Sequence, residues 1–328
     1  QAIADAGGLE SLVKLTFPTP EADVDPETDI SQRGSALKSL NCFVNSTAEI
    51  RAHVVQAGGV RPAILAVEVP ALQLPALQLL AALAKDAESA QEIAENDGIN
   101  AVAIVLRVIL THSNDTELRL EPPPENGADA DEGAPSPAQV SDVLEAGASA
   151  LARLAQDDQT GAIQGIILHD GALLSLCGLA ALVGRPEDFR TRLPIIVALG
   201  AIAAGNARTQ TAIMEEGGLD LLVDAVASAE DKIQSRAAVG LLAFGGATEA
   251  VQRHLLRKLL ASFHGSEDEG KHRVVVMLNR LAAEGTFWTV AVLGQSRFRR
   301  AARKVMAKNR AEAVVAAAAA EEARIAAG

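Results

Sequence analysis

IMEEGGLDLLVDAV, from Ile213 to Val226, reads as a short helix, a glycine break and a second, leucine-rich helix. A helix that stops in the left-handed conformation favours glycine, because any Cβ is penalised there, and a tight reversal leaves no room for a side chain. One such hairpin says little about a fold. The same apolar-glycine signature recurs as IADAGGLESLV (Ile3 to Val13), VVQAGGVRPAIL (Val54 to Leu65), IAENDGINAVAIVL (Ile93 to Leu106) and IILHDGALLSL (Ile166 to Leu176). The recurrence, rather than any one glycine, makes the chain a repeat array.

After each hairpin comes a longer amphipathic stretch, a third helix: Arg33 to Val44, Pro75 to Lys85, Glu145 to Gln156, Pro194 to Gly205, Ser235 to Gly246 and His272 to Ala283. Aligned on Leu40, Leu80, Leu151, Leu199, Leu241 and Leu278, they step by 40, 71, 48, 42 and 37 residues. Helical repeats of two or three helices recur every 40 to 47 residues or so, and only the 71-residue step departs far from that. It contains an insertion at 111–137, rich in Pro, Gly and acid and without helical periodicity, which reads as a disordered loop. A smaller acidic insertion at 17–29 falls between the same two helices of the first repeat. In the last repeat Leu259 and Leu260 stand where the glycine pair belongs, so its first two helices are expected to fuse.

Composition agrees. Of 328 residues 49% are hydrophobic, enough to bury a core, yet only 2% are aromatic, with no Tyr and a single Trp, Trp288. Strands favour aromatic and β-branched residues and helices favour Ala and Leu, so a sandwich or barrel is excluded in favour of an all-α chain. Cys42 and Cys177 lie far apart in apolar helical patterns, without a disulfide framework, and a reducing, cytoplasmic compartment is expected, with nucleus or cilium as alternatives. No apolar run reaches membrane-spanning length, and QAIADAGG has no signal-peptide layout; the chain is expected to be soluble and a fragment or processed form. A net charge of −13 disfavours nucleic acid over most of the surface.

Short helix, glycine, Leu-rich helix (GGLDLLVDAV) and longer Ala-Leu helix (AAVGLLAF) resemble an armadillo repeat, over residues 1–285 in six copies. The resemblance implies a right-handed α-solenoid of about six armadillo repeats, with third helices lining a concave groove that holds an extended segment of another protein. Armadillo import receptors carry a Trp and an Asn at two groove positions of successive third helices. Here the Trp position holds Lys38, Gln78, Ser149, Val197, Val239 and Val276, and the Asn position Cys42, Ala82, Arg153, Ala201, Ala243 and Arg280. With neither Trp nor Asn at those positions, the chain fits a general adaptor better than an import receptor. The candidate partner-binding residues are Lys38, Gln78, Ser149, Arg153, Val197, Val239 and Arg280, and the bland alternative is that they are ordinary solvated helix positions.

No catalytic constellation stands beside the repeats. GSEDEGKH (Gly265 to His272) satisfies a phosphate-loop spacing, but His272 replaces the required Ser or Thr, no strand precedes it, and three acids would repel phosphate. The histidines His53, His112, His169, His254, His264 and His272 show no metal-ligand spacing, and neither cysteine has a motif partner. The expectation is a protein that is not an enzyme, with no cofactor, no metal and no small-molecule substrate.

Residues 286–328 read as a separate C-terminal segment, a basic helix followed by an Ala-rich one. RFRRAARKVMAKNR (Arg297 to Arg310) has seven basic residues and no acid, including Arg297, Arg299, Arg300, Arg303 and Lys304 around a narrow apolar face. That layout suits an anionic membrane, calmodulin, nucleic acid, an acidic partner or the chain's own acidic loops, and equally a helix that caps the array. The expectation is therefore a non-enzymatic scaffold that binds an extended partner segment, with tethering through the basic tail as the alternative.

Overall fold

The computed structural model describes residues 7–19, 25–115, 137–156, 158, 160–182 and 189–284. The core of each acidic insertion, at 20–24 and 116–136, and the C-terminal segment from 286 lie outside the described residues. Among the described residues there is no strand. In chain order the helices are α1 (Gly8–Lys14), α2 (Pro26–Val44), α3 (Ala48–Gln56), α4 (Val60–Val67), a 3-10 turn (Pro70–Leu72), α5 (Gln73–Leu83), α6 (Ala87–Glu95), α7 (Gly98–Asp115) and α8 (Pro137–Gln156). They continue as α9 (Ala162–His169), α10 (Ala172–Leu182), α11 (Phe189–Ala203), α12 (Ala207–Glu215), α13 (Gly218–Ala227), α14 (Asp231–Leu242), α15 (Glu249–Gly265) and α16 (Asp268–Glu284). The chain divides between Leu222 and Val223 into two compact units, the first holding α1 to α12 and the second α14 to α16.

The order is first, second and third helix, repeated. The six leucines used to align the third helices are each 0% exposed, so the period found in the sequence is the period of the core. Burying a leucine side chain is worth about 1.5–3 kcal/mol, and successive third helices pack on one another, α2 on α5, α5 on α8 and α8 on α11. In the last repeat the first two helices do run as one, α15, where leucines replace the glycine pair.

Two glycines in a row do different work. The first takes the left-handed turn: φ is 78° at Gly58 and 61° at Asp97, which stands in the same place one repeat later. The second needs the absence of a side chain, since a Cβ at Gly59 would stand 2.8 Å from the Val54 carbonyl oxygen and one at Gly98 2.7 Å from that of Ile93. Each such contact is with backbone of the helix just ended, so these two hairpins favour glycine there, whereas the hairpin at Gly171 (φ 77°) has Ala172 in the second place.

A second recurring device joins a third helix to the next first helix at three junctions. Arg51, Gln210 and Gln252 sit four residues after the N-cap residues Thr47, Asn206 and Thr248. Arg51 Nη1 donates to the Val44 carbonyl (3.2 Å), Gln210 Nε2 to that of Ala203 (2.9 Å) and Gln252 Nε2 to that of Gly245 (2.6 Å). The acceptor is seven residues back each time: the last residue of α2 and of α11, whose carbonyls have no partner within the helix, and Gly245, three residues past the end of α14. Asp86, the N-cap of α6, makes no capping bond, because Arg51 holds both its carboxylate oxygens.

Several boundaries differ from the sequence reading. The insertion expected from Thr111 starts later, since α7 continues to Asp115. The first insertion ends earlier, because Asp25 caps α2 by accepting from the Thr28 N–H and Pro26 opens the helix with its fixed φ, putting 26–29 in the first turn. The third helix α11 starts at Phe189 and carries Pro194 inside it, so proline does not mark its start.

Candidate functional site

Three successive third helices, α2, α5 and α8, form the walls of a cleft of about 430 Å³ in the first compact unit. Asn41 and Asn45 come from α2 and its C-cap, Gln78, Ala81 and Ala82 from α5, Lys85 from just beyond the end of α5, and Asp142, Glu145, Ala146, Ser149 and Arg153 from α8. The alanines keep the floor low, and every other lining side chain is polar.

The α2 wall is fixed by hydrogen bonds. Asn41 Nδ2 donates to the Pro75 carbonyl (2.8 Å), Asn45 Nδ2 to the Asn41 carbonyl (2.8 Å), and Lys85 Nζ to Asn45 Oδ1 (2.7 Å). Asn41 Oδ1 is shut off from solvent and accepts no hydrogen bond, a loss of about 1–3 kcal/mol for a buried acceptor. Partial burial, then the nearby Arg153 and Arg51 guanidinium groups, lower the pKa of Lys85, with Asp86 opposing them. Behind Lys85, hydrogen bonding to Asp86 raises the pKa of Arg51 and pins that cation in place.

Of the residues expected to contact a partner, Gln78, Ser149 and Arg153 are brought together here. Lys38 is exposed on α2 but does not line the cleft, and Val197 is half-buried on α11. In the second compact unit Val239 (59% exposed) lies on α14, and Val276 (39%) and exposed Arg280 lie on α16. The tail residues Arg297, Arg299, Arg300, Arg303 and Lys304 lie outside the described residues. Asn41, Asn45, Lys85, Asp142 and Glu145 were not anticipated. The available signal was the spacing of Asp142, Glu145, Ser149 and Arg153, three, four and four residues apart, which puts them on one helix face.

A larger hollow of about 840 Å³ lies between the N-termini of α9 and α12. Both termini are already capped from within the chain. The Asp158 carboxylate accepts from the backbone N–H of Thr160 (3.2 Å), Gly161 (2.9 Å) and Gln164 (3.0 Å), and Asn206 Oδ1 from those of Arg208 and Thr209. Burial would raise Asp158, but the N–H groups of Gln164, Gly161 and Thr160 and the Thr160 hydroxyl outweigh it and hold its pKa below the ordinary carboxylate value.

Cys42 is exposed; Cys177 is buried, and desolvation, with the Glu216 charge added, pushes its pKa up to about 12. Among the described residues no cluster of three or more His, Cys, Asp or Glu could hold a metal ion. No single helix among them is long and apolar enough to cross a membrane.

No protein-family model and no curated protein matches the chain. Solved structures do. An engineered protein superposes with TM-score 0.64 at 20% identity, covering 93% of this chain and 69% of that one. The designed armadillo repeat protein YIII(Dq)4CqI has TM-score 0.59 and 16% identity, covering 83% and 99%. A related designed armadillo repeat protein, solved in complex with peptide (KR)4, has TM-score 0.60 and 16% identity over the same shares. The chain therefore has an armadillo-like repeat fold, an all-α solenoid built of three-helix repeats.

Proposed function

We propose that the protein is a non-enzymatic scaffold that binds an extended segment of a partner protein along its third helices, with the cleft between α2, α5 and α8 as the principal contact. The observation that carries this reading is the cleft itself: three consecutive third helices present a low alanine floor edged by Asn45, Gln78, Lys85, Ser149 and Arg153. Support comes from a structural neighbour solved with a peptide bound and another designed for modular peptide recognition. Polar side chains that satisfy one another only in part suit the backbone and side chains of an extended peptide.

A randomised peptide library selected against residues 1–328, followed by cross-linking from a photoreactive residue at position 78, tests this. Selected peptides are expected to cross-link at 78 and to lose binding in Ser149→Trp, which fills the cleft. Selection of no peptide, or binding indifferent to Ser149→Trp, would overturn the reading.

A further inference from the structure

The charges in the cleft are sorted along α8. Asp142 and Glu145 come first, Ser149 follows, and Arg153 stands two turns beyond Glu145, about 12 Å along the axis at 1.5 Å per residue. Elsewhere in this chain helix charges neutralise each other one turn apart, as Arg33 does with Asp29 (3.5 Å) and Arg273 with Glu269 (3.4 Å). Ser149 occupies the intermediate turn on α8, so Glu145 and Arg153 are too far apart to pair. Lys85 joins Arg153 at the basic end, where its ammonium bonds only the neutral Asn45 amide. Among the described residues Asp142, Glu145 and Arg153 make no ion pair or side-chain hydrogen bond. Among the described residues, then, Arg153 at one end and the two carboxylates at the other have no ion-pair partner, and Lys85 has only the charge of Asp86 nearby, which Arg51 already holds.

An extended peptide advances about 3.3 Å per residue and turns every second side chain to the same face, so residues four apart lie about 13 Å from each other on one side. That matches the spacing of the two ends. We propose that the cleft selects an extended peptide carrying an acidic and a basic side chain four residues apart, the acid held by Lys85 and Arg153 and the base by Asp142 and Glu145. This rests on the peptide-binding reading above and goes further, naming the charge pattern of the ligand.

Four short probes test it by fluorescence anisotropy with residues 1–328: GESGSKG, GKSGSEG, GESGSEG and GKSGSKG, the two mixed orders covering both chain directions. One mixed probe is expected to bind about fivefold to tenfold tighter than either like-charged probe, as two partly exposed ion pairs would give, and to weaken between 50 and 500 mM salt. The double variant Lys85→Glu with Arg153→Glu is expected to prefer GKSGSKG, and Asp142→Lys with Glu145→Lys to prefer GESGSEG, with helical circular dichroism unchanged. Equal binding of all four probes, no binding of any, or a preference that charge reversal leaves in place would each overturn the proposal. If library peptides still cross-linked at position 78 in such a case, peptide binding would stand and only the charge pattern would fall.

Discussion

Arg51 ties three repeats together: its Nη2 donates to Asp86 Oδ1 (3.0 Å), the N-cap of α6, while its Nη1 holds the Val44 carbonyl at the end of α2 (3.2 Å). One guanidinium thus satisfies the end of the first repeat's third helix and fixes the start of the third repeat. Arg51→Ala leaves a carboxylate and a helix-end carbonyl without their donor, both partly buried, and is expected to cost about 1–3 kcal/mol. The urea midpoint, compared with that of the exposed control Arg61→Ala, checks this.

The paired glycines make an ordering prediction. Gly58→Ala incurs only the left-handed strain, about 1–2 kcal/mol, because nothing lies within 4 Å of the added Cβ. Gly59→Ala drives a Cβ into the Val54 carbonyl and is expected to cost more. Asp97→Gly relieves a positive φ and is expected to stabilise by up to about 1 kcal/mol. Thermal melts of the three variants that ranked Gly58→Ala as the most damaging would contradict this account.

Asp158 gives a pH dependence with a definite sign. Its folded pKa is lowered, so its contribution is fully present above the unfolded carboxylate value, near 3.8, and is lost as pH falls through the lower folded value. Asp158→Asn, which can accept at one oxygen only, is expected to be less stable at neutral pH and to lose less stability on acidification. Denaturant titrations between pH 6 and pH 2 compare the two slopes.

Thiol reactivity separates the cysteines. Cys42 is exposed, whereas Cys177 is 1% exposed with a pKa near 12, which leaves almost no thiolate at pH 8. A colourimetric disulfide reagent is expected to titrate one thiol in the native protein and two in denaturant; Cys42→Ser should abolish the native signal.

The core was legible in the sequence because leucine periodicity and glycine breaks report on local structure, and all six alignment leucines are indeed at 0% exposure. The ends of helices were less so: Pro194 reads as a start but lies inside α11, and Thr111 to Asp115 read as loop but extends α7. The cleft was legible only in part. Gln78, Ser149 and Arg153 follow from a register counted along each helix, but Lys85 lines the cleft from beyond the end of α5, and Asn41 sits one residue off the counted position. Which charges meet there depends on how three helices are offset against one another, and that offset has no local signature.

The bond from Arg51, Gln210 or Gln252 to the carbonyl seven residues back has a consequence for how such an array lengthens or shortens. At three junctions it binds a third helix to the first helix that follows, and the glycine break binds first helix to second, whereas both acidic insertions fall between second and third helices. The joint that tolerates interruption is therefore inside the conventional repeat and not at its edge. A cassette that can be duplicated, deleted or transplanted without severing these bonds begins with a third helix and ends with the next second helix, so recombination in this chain is expected to respect a circularly permuted module.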